Sequence, residues 1–510
     1  MAQQLQNITV QAPGFAGINS QDSPVSIDQS FAATASNCII DEYGRIGARK
    51  GYTEQSSNVS FAADSRGVEA VFESLDASGD KRIFSAVDNK IYLGLDFSAT
   101  DITPTGATIT ANNWKIVSFN NHTYFYQRGH EPLIYTDSSG SGVLARHSLF
   151  ANQTTPPQAN EVIGAYGRLW AADVSGNTKT VYWSDTLQGH KWSGGTAGSL
   201  DLTTVFPTGH DEVVALAAHN GFLIIFCKRS IIIYSGAESP ATMQLHDTVE
   251  GVGCIARDSV QHTGTDIIFL SEDGVRSFGR TIQEKSMPMR DLSNNVRTEL
   301  TQLIRQQTNP IKSIYSADEA FYLLSLQDSQ TVYCFDMRGA LPDGANRVTT
   351  WAGVNPRSLA LLQDGSIYFG REDGIFKYEG YQDNGNAYEM IYYSNPMNFG
   401  NSTNLKFLKK FNITVIGNVA SPTTLVWGYD YDGSYIKKAF NTQLSNTPIS
   451  EFNVSEFNIG KFTTGIDIQR PSINTSGSGT VVTIGIESTI NGAPYSIQQI
   501  DVHALLGRLI

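Results

Sequence analysis

Cysteine, charge and long apolar runs are all scarce in this sequence. Its 510 residues include 4 cysteines, which are Cys38, Cys227, Cys254 and Cys334. They form no Cys-x-x-Cys pair, so we predict isolated reduced thiols in the core rather than a disulfide framework or a zinc site. The most apolar stretch, residues 221–236, is broken by Lys228 and Arg229 and is shorter than the roughly 20 apolar residues of a membrane span. The N-terminus has neither a basic start nor an apolar run, and we expect a soluble chain made in a cytoplasm.

Positive charge is scarce as well. Lys and Arg number 36 against 49 Asp and Glu, which gives a net charge of −13. A protein that grips nucleic acid needs clustered basic side chains to neutralise phosphates, so this class is disfavoured, although a surface that lets DNA slide past needs none. The basic residues cluster twice, as Arg45, Arg49 and Lys50 and as Lys406, Lys409 and Lys410. We predict that both clusters contact a partner protein or are solvated, rather than forming a nucleic-acid site.

Strand and turn formers dominate what is present. The chain holds 46 Gly, 25 Phe and 22 Tyr, a balance that favours an all-β fold. From residue 67 onward, pairs of apolar strands around a polar turn recur at intervals of 43 to 57 residues, a spacing typical of four-stranded propeller blades. The markers are Ile91, Ile134, Val181, Ile232, Val275, Val332 and Ile375. Seven markers predict a seven-bladed β-propeller over 67–384; six blades is the alternative, because the sequence does not show which hairpins share a blade.

The longest of these intervals contains a helical pattern. Four apolar residues fall on one helical face, namely Val296, Leu300, Leu303 and Ile304. Ser293 or Asn294 is placed to cap the helix. We therefore predict a helical insertion near 293–306 within one blade.

Two segments flank the predicted propeller. Residues 1–66 have little periodicity and many turn formers, so we predict an extended arm and turn region that contacts another surface of its own chain or a neighbouring chain. Residues 385–510 contain alternating strands and predict a second, sandwich-like β domain.

Three motifs resemble the sequences of ligand-binding or enzyme sites, and each is better explained as a turn. "EGVGCIARDS" at 250–259 contains Gly-x-Gly-x-x-Ala, but a strand-like segment follows it where a phosphate site needs a helix. "YWSDTLQGHKWSG" at 182–194 resembles the Asp-box turn of sialidase-type propellers, which is structural. Asp430 and Asp432 lack the other ligands of a calcium loop.

The remaining polar residues predict no chemistry. The 9 histidines are dispersed, and His246 and Asp247 would point to opposite faces of a strand. Asp364 and Asp373 each precede a glycine between strands, as tight hairpin turns require. We therefore predict no catalytic residue, no cofactor and no metal site.

Five segments of the chain occur in a distinctive order. They are "QAPGFAGINSQDSP", "ASNCIIDEYGRIGARKGY", "VGCIARDSVQHTGTDIIFLSEDGVRSFG", "SNNVRTEL" and "NFGNSTNLKFLKKFNITV". This order resembles the tail nozzle proteins of short-tailed bacteriophages, also called tail tubular protein B and related to the packaged-DNA stabilisation proteins. The resemblance spans most of the chain.

The resemblance implies a virion tail protein made in the cytoplasm of the host bacterium. Six copies would form a ring below the portal adaptor, a ring of the tail tubular protein A type. This homo-oligomer would continue the channel for double-stranded DNA, help retain the genome and dock tail fibres or receptor-binding proteins. The family has no catalytic residues, and it implies an interface role for the N-terminal arm and for the turn from Arg45 to Lys50.

Two other functions stay open at this point. A propeller glycan hydrolase predicts a carboxylate pair roughly 5 to 10 Å apart in a pocket on the propeller axis. A glycan- or receptor-binding propeller predicts shallow aromatic sites repeated on several blades.

Overall fold

A computed structural model describes the chain over residues 5–24, 26–55, 67–75, 79–94, 99–110, 112–136, 142–206, 209–284, 291–417, 422–441 and 467–509. Within these ranges the chain forms 41 strands and two α-helices, so the predicted all-β class is confirmed. All four cysteines are free and buried, as expected for core thiols. No helix in the described ranges is long and apolar enough to cross a membrane.

The N-terminal segment contributes strands to sheets elsewhere in the molecule. Its strands are β1 Leu5–Gln11, β2 Gly17–Ile18, β3 Phe31–Ser36, β4 Cys38–Ile40, β5 Ile46–Ala48 and β6 Tyr52–Glu54. Strands β1, β4 and β5 belong to an eight-stranded sheet, β2 and β3 to a ten-stranded sheet, and β6 to the last propeller blade. The strands of the predicted arm are therefore paired with strands from other parts of its own chain.

Four antiparallel blades of four strands each follow one another along the chain. The first contains β7 Val68–Leu75, β8 Lys81–Val87, β9 Lys90–Leu93 and β10 Thr100–Asp101. The second contains β11 Trp114–Phe119, β12 His122–Gln127, β13 Leu133–Thr136 and β14 Val143–Arg146, with a 3-10 turn at His147–Leu149. The third contains β15 Ala159–Ala165, β16 Arg168–Val174, β17 Thr180–Trp183 and β18 Gly198–Asp201. The fourth contains β19 Val213–His219, β20 Phe222–Cys227, β21 Ser230–Ser235 and β22 Gln244–Glu250, with a 3-10 turn at Pro240–Thr242.

A three-stranded sheet interrupts the series of blades. A 3-10 turn at Arg257–Ser259 leads into β23 Gln261–His262, β24 Ile267–Ser271 and β25 Gly274–Ser277, and α1 Phe278–Glu284 follows. The fifth blade then contains β26 Lys312–Ser316, β27 Phe321–Leu326, β28 Thr331–Ala340 and β29 Asn346–Ala352. The sixth contains β30 Ser358–Leu361, β31 Ile367–Gly370 and β32 Ile375–Tyr378, and β6 pairs with β32 to complete it.

The propeller therefore has six blades, so the predicted seven is wrong and the alternative of six is confirmed. The fifth hairpin marker, Val275, lies in the three-stranded sheet, where the chain continues into α1 after β25 and adds no fourth strand. The ring closes where the sixth blade meets the first, because the N–H of Val68 donates to the carbonyl of Arg371 at 2.8 Å.

The predicted helical insertion is confirmed as α2 Arg297–Gln306, preceded by a 3-10 turn at Asn294–Val296. Leu300 and Ile304 are buried on its apolar face. The predicted cap is wrong, because Val296 occupies the N-cap position. The hydroxyl of Ser293 instead donates to Asp291 Oδ1 at 3.0 Å.

The C-terminal strands complete two large sheets. They are β33 Tyr388–Ser394, β34 Asn404–Gly417, β35 Pro422–Tyr429, β36 Tyr435–Asn441, β37 Asp467–Gln469, β38 Ser472–Asn474, β39 Ser478–Gly479, β40 Val482–Ile490 and β41 Tyr495–Leu509. The eight-stranded sheet centres on β34 and β41, and the ten-stranded sheet runs through β33, β40, β35 and β36. Phe411 and Val502 of the first sheet share one apolar cluster with Trp427 and Ile486 of the second, as in a sandwich.

The ten-stranded sheet joins the propeller to this sandwich. The outer strand of the fifth blade, β29, pairs with β2 and β3, and β3 pairs with β33. At the junction Gly17 has a φ of +80°, and a Cβ there would lie 2.6 Å from the backbone of Val348. Only glycine allows this close approach of the two strands.

Candidate functional site

The inner strands of the propeller begin on one face, which we name the top face. A cavity of about 570 Å³ opens there at the propeller axis. It is lined by the starts of the inner strands of the third and fourth blades, by the 3-10 turn at Arg257–Ser259 and by the end of α2. We name this cavity the axial funnel, and it combines apolar walls with converging polar groups.

Arg257 forms the floor of the axial funnel. Its guanidinium donates to Asp258 Oδ1 from Nε at 2.8 Å and to the carbonyl of Trp114 from Nη2 at 2.8 Å. It also donates from Nη1 to Asn160 Oδ1 at 2.9 Å and from Nη2 to Asn113 Oδ1 at 2.8 Å. One buried side chain thus ties the three-stranded sheet to the second and third blades across the axis.

Asp258 extends this network to the fifth blade. Its Oδ2 accepts from Lys312 Nζ at 2.6 Å and from Arg257 Nη2 at 2.7 Å. Burial alone would raise the pKa of Asp258, but the charges of Arg257 and Lys312 outweigh it and hold the pKa well below its usual range. Burial lowers the pKa of Lys312, and Asp258 opposes that effect. Asp258 is therefore ionised and engaged by two cations.

Glu161 lies beneath the floor. Its side chain is 1% exposed, and its Oε2 lies 3.0 Å from Lys115 Nζ. Burial raises its pKa, and Lys115 and Arg257 only partly offset that rise. Glu161 and Asp258 thus have pKa values displaced in opposite directions, as acid and nucleophile pairs do. Glu161 is sealed from the funnel, however, so the pair could not act together on a bound substrate.

Further ion pairs form the walls of the funnel. Arg128 Nη2 lies 2.9 Å from Asp173 Oδ1, and Lys228 pairs with Glu212. These charges compensate one another, so the lining is polar without a strong field of one sign. In the described part of the chain, no group of three or more His, Cys, Asp or Glu side chains could hold a metal ion.

The prediction of a surface contact is wrong for two of the six predicted interface residues, Arg49 and Lys406. Arg49 is fully buried; its Nη1 and Nη2 donate to Asp383 at 2.8 and 2.7 Å, and its guanidinium lies 4.2 Å from the ring of Tyr388. Lys406 is also fully buried and donates to the carbonyls of Asn401 and Thr480. Both cations satisfy backbone and carboxylate groups inside the fold, where a partner protein cannot reach them.

The other four predicted interface residues are at least partly accessible. Arg45 Nε pairs with Asp41 Oδ2 at 2.6 Å, and Lys50 pairs with Glu319. Lys409 and Lys410 are exposed on β34. The interface role of these four residues stays a prediction.

The acidic turn residues serve local structure. Asp364 Oδ1 accepts the N–H of Ser366 at 2.9 Å, and Gly365 has a φ of +80°. In the Asp-box-like segment, Asp185 Oδ1 accepts the N–H of Thr196 at 3.0 Å. These contacts confirm the interpretation of both motifs as turns.

Asp373 and Asp430 also have partners within the chain. Asp373 Oδ1 lies 3.1 Å from Arg371 Nε. Asp430 Oδ1 accepts the N–H groups of Thr480 and Val481 at 2.6 and 3.0 Å. Asp430 thus anchors the chain entering β40.

The sequence did not predict the polar network at the floor of the funnel. Arg257 and Asp258 lie in "EGVGCIARDS", whose Gly-x-Gly-x-x-Ala pattern is interpreted as a turn rather than a phosphate site. The available signal was the adjacent pair of opposite charges, Arg257 and Asp258, between two apolar strands. Charged side chains are rarely buried unless they are paired, so such a pair next to core strands indicates a buried ion pair.

No protein-family model and no curated protein matches this chain. Among solved structures it is similar to the extracellular domain of BT4673 from B. thetaiotaomicron, at 12% identity and a TM-score of 0.39, over 65% of this chain and 40% of that one. It is similar to the C-terminal WD40 domain of Sif2, at 11% identity and a TM-score of 0.38, over 71% of this chain and 98% of that one. It is also similar to the WD40 domain of coronin from Toxoplasma gondii, at 11% identity and a TM-score of 0.38, over 64% of this chain and 83% of that one.

Proposed function

We propose that this chain is a structural subunit of a bacteriophage tail, in which six copies form a nozzle ring below the portal adaptor. The ring continues the channel for double-stranded DNA, helps retain the genome and docks tail fibres. The ordered segments of the sequence and its net charge of −13 support the proposal. An acidic wall repels phosphate and lets DNA pass without binding.

The observation that carries the proposal furthest is the continuous sheet between the two halves of the chain. Strand β3 pairs with β29 on one side and with β33 on the other, so hydrogen bonds run unbroken from the propeller into the sandwich. The buried pair of Arg49 and Asp383 fastens the same junction. A subunit of a load-bearing ring needs such rigid coupling, whereas domains joined by a small polar interface move relative to each other.

The path of DNA in this proposal avoids the axis of each propeller. Arg257 spans that axis at hydrogen-bond distance from the second and third blades. A double helix, whose major groove alone is about 12 Å wide, does not fit through a channel closed in this way. The conduit would therefore lie between copies, around the symmetry axis of the ring.

Electron microscopy of virions that carry a labelled copy of this chain tests the proposal. We expect the label at the distal tail ring, with unlabelled virions as the control. Label on fibres or in the capsid shell would contradict it. A continuous stripe of Lys and Arg along the bore of the solved assembly would contradict the expected acidic or neutral wall.

The proposal includes no catalytic activity, and a second experiment addresses the hydrolase alternative. Asp258 is held by Arg257 and Lys312, and Glu161 is buried beneath it. We therefore expect purified protein to release no reducing ends from host polysaccharide. Release that disappears in the Asp258→Asn variant would establish the hydrolase instead.

A further inference from the structure

The axial funnel has the dimensions of a ligand site, and the proposed structural role does not use it. Its volume of about 570 Å³ falls within the range of about 300–1,000 Å³ that is usual for small-molecule pockets. It opens on the top face, so a ligand could enter without any movement of the blades.

The charges that line the funnel are balanced in number. The basic residues are Arg128, Lys228, Arg257 and Arg305, and the acidic residues are Asp173, Glu212, Asp258 and Glu272. Three of these cations pair with three of the anions, including Arg128 with Asp173 at 2.9 Å. A polyanion or a polycation would therefore gain little from entering, because most of its possible partners are already neutralised.

The polar groups of the funnel are planar and fixed in place. Asn113 Oδ1 accepts from Arg257 and from Lys312 Nζ, and Asn160 Nδ2 donates to Asp173 Oδ2 at 2.8 Å. These contacts occupy both lone pairs of Asn113 Oδ1 and the N–H groups of Arg257. The carboxylates of the walls keep further lone pairs, and uncharged hydroxyl groups of a ligand can donate to them.

Aliphatic side chains provide the second type of surface. Val214, Ile255 and Ile311 line the same funnel, beside polar Thr308 and Asn309. A sugar ring presents hydroxyl groups at its edge and C–H groups on its faces, so it can contact both surfaces at once. Few other uncharged ligands of this size combine the two.

We propose that the axial funnel binds a short neutral oligosaccharide of about two or three sugar rings. The hydroxyl groups donate to the carboxylate groups of the walls, and the C–H faces lie against the aliphatic side chains. The inference does not rest on the proposed tail function, because it uses only the lining of the funnel.

Saturation-transfer NMR with the full chain tests this inference, using maltotriose, cellotriose and chitotriose as probes. We expect at least one of them to bind with a dissociation constant of about 1 mM or tighter. The absence of a signal for all three at about 10 mM would overturn the inference. Tighter binding of tripolyphosphate than of any trisaccharide would overturn the argument from charge balance.

A matched pair of variants locates the site. Glu272 is an exposed turn residue at the funnel, and Glu238 is an exposed turn residue outside its lining. Glu272→Trp fills the mouth of the funnel and should weaken binding at least about tenfold, whereas Glu238→Trp should leave it unchanged. Binding that survives in Glu272→Trp would overturn the placement of the ligand, and a circular dichroism spectrum establishes that both variants fold.

Discussion

Charged side chains occupy the propeller axis, whereas apolar side chains occupy the interior of the sandwich. At the axis Arg257, Asp258 and Lys312 meet through ion pairs. Between the two large sheets, Phe411 and Ile486 pack within an apolar cluster. Blades that converge on one axis bring strand ends and their free carbonyl groups together, and these need hydrogen-bond donors. Two facing sheets satisfy their backbone groups within each sheet and leave a slab for apolar side chains.

This difference predicts different responses to substitution. A polar network loses most of its stabilisation when one partner is removed, because the remaining partners stay buried without compensation. An apolar core loses free energy in proportion to the volume removed. The predictions below use this contrast, from the largest expected effect to the smallest.

Replacing Arg257 should have the largest effect. Arg257→Met removes one of the two cations that engage Asp258 and the donor to the carbonyl of Trp114, and we expect a loss of about 3–5 kcal/mol in the free energy of unfolding. Urea denaturation measures it. Arg229→Met, at an exposed arginine, is the matched control. The double variant Arg257→Met with Asp258→Leu should not recover the loss, because it also removes the carboxylate that pairs with the buried Lys312. A loss below about 1 kcal/mol in the single variant would show that the axis does not depend on this network.

In the sandwich, the loss of stability should be graded by volume. Ile486 is 1% exposed, so Ile486→Ala should cost about 2–5 kcal/mol and Ile486→Val about 0.5–1.5 kcal/mol. Thermal and urea unfolding provide the values. Ile468→Ala, at a residue that is 65% exposed, is the control and should change little. Equal losses for the Ala and Val variants would contradict a packing origin.

Acid should weaken the axis through Asp258. Its pKa lies well below the ordinary value of 3.8, because Arg257 and Lys312 outweigh the effect of burial. A carboxyl group with a lowered pKa stabilises the fold above its unfolded pKa and loses that contribution as the pH falls. The free energy of unfolding should therefore decrease more in the natural protein than in Asp258→Asn when the pH falls from about 5 to about 3, roughly one unit either side of the unfolded pKa.

Glu161 acts in the opposite sense in this experiment. Burial raises its pKa, so its protonation on acidification favours the folded state. Both proteins contain Glu161, and the comparison with Asp258→Asn isolates the part that belongs to Asp258. An equal decrease in both proteins would contradict the assignment.

The smallest effect is expected at the exposed lysines of β34. Replacing Lys409 and Lys410 together by alanine should change the free energy of unfolding by less than about 0.5 kcal/mol. If these side chains contact a neighbouring copy, sedimentation should show fewer assembled rings in the variant. Replacing the buried Lys406 by alanine is the contrasting case and should lower the stability of the single chain.

Local signals in the sequence predicted the architecture. Hairpin turns such as that at Asp364 and Gly365 are set by neighbouring residues, so their recurrence revealed the propeller and the second β domain. The blade number and the course of the N-terminal segment depend on long-range pairing, as when Tyr52 pairs with Tyr378 to complete the sixth blade. Such pairing has no local sequence signal.

The candidate site was less predictable than the fold. Charge density placed Arg49 and Lys406 on the surface, but their partners come from distant segments, Asp383 for Arg49 and the carbonyl of Thr480 for Lys406. Arg257 was missed for the same reason, because its acceptor at Trp114 lies in another blade. A buried cation is identified by the oxygen atoms around it, and these atoms are known only once the chain has folded.

The pairing of β1 with β41 has a consequence for how the protein is made. Leu5 lies opposite Leu505 and Gln11 opposite Gln499. At ordinary translation rates, the first strand leaves the ribosome roughly 25 to 100 s before its partner. Strand β6 likewise has no partner until β32 has been synthesised, so the last blade cannot form before then. A nascent or truncated chain therefore exposes unpaired strand edges, which can pair with other chains and aggregate until the C-terminal partner strands have been made.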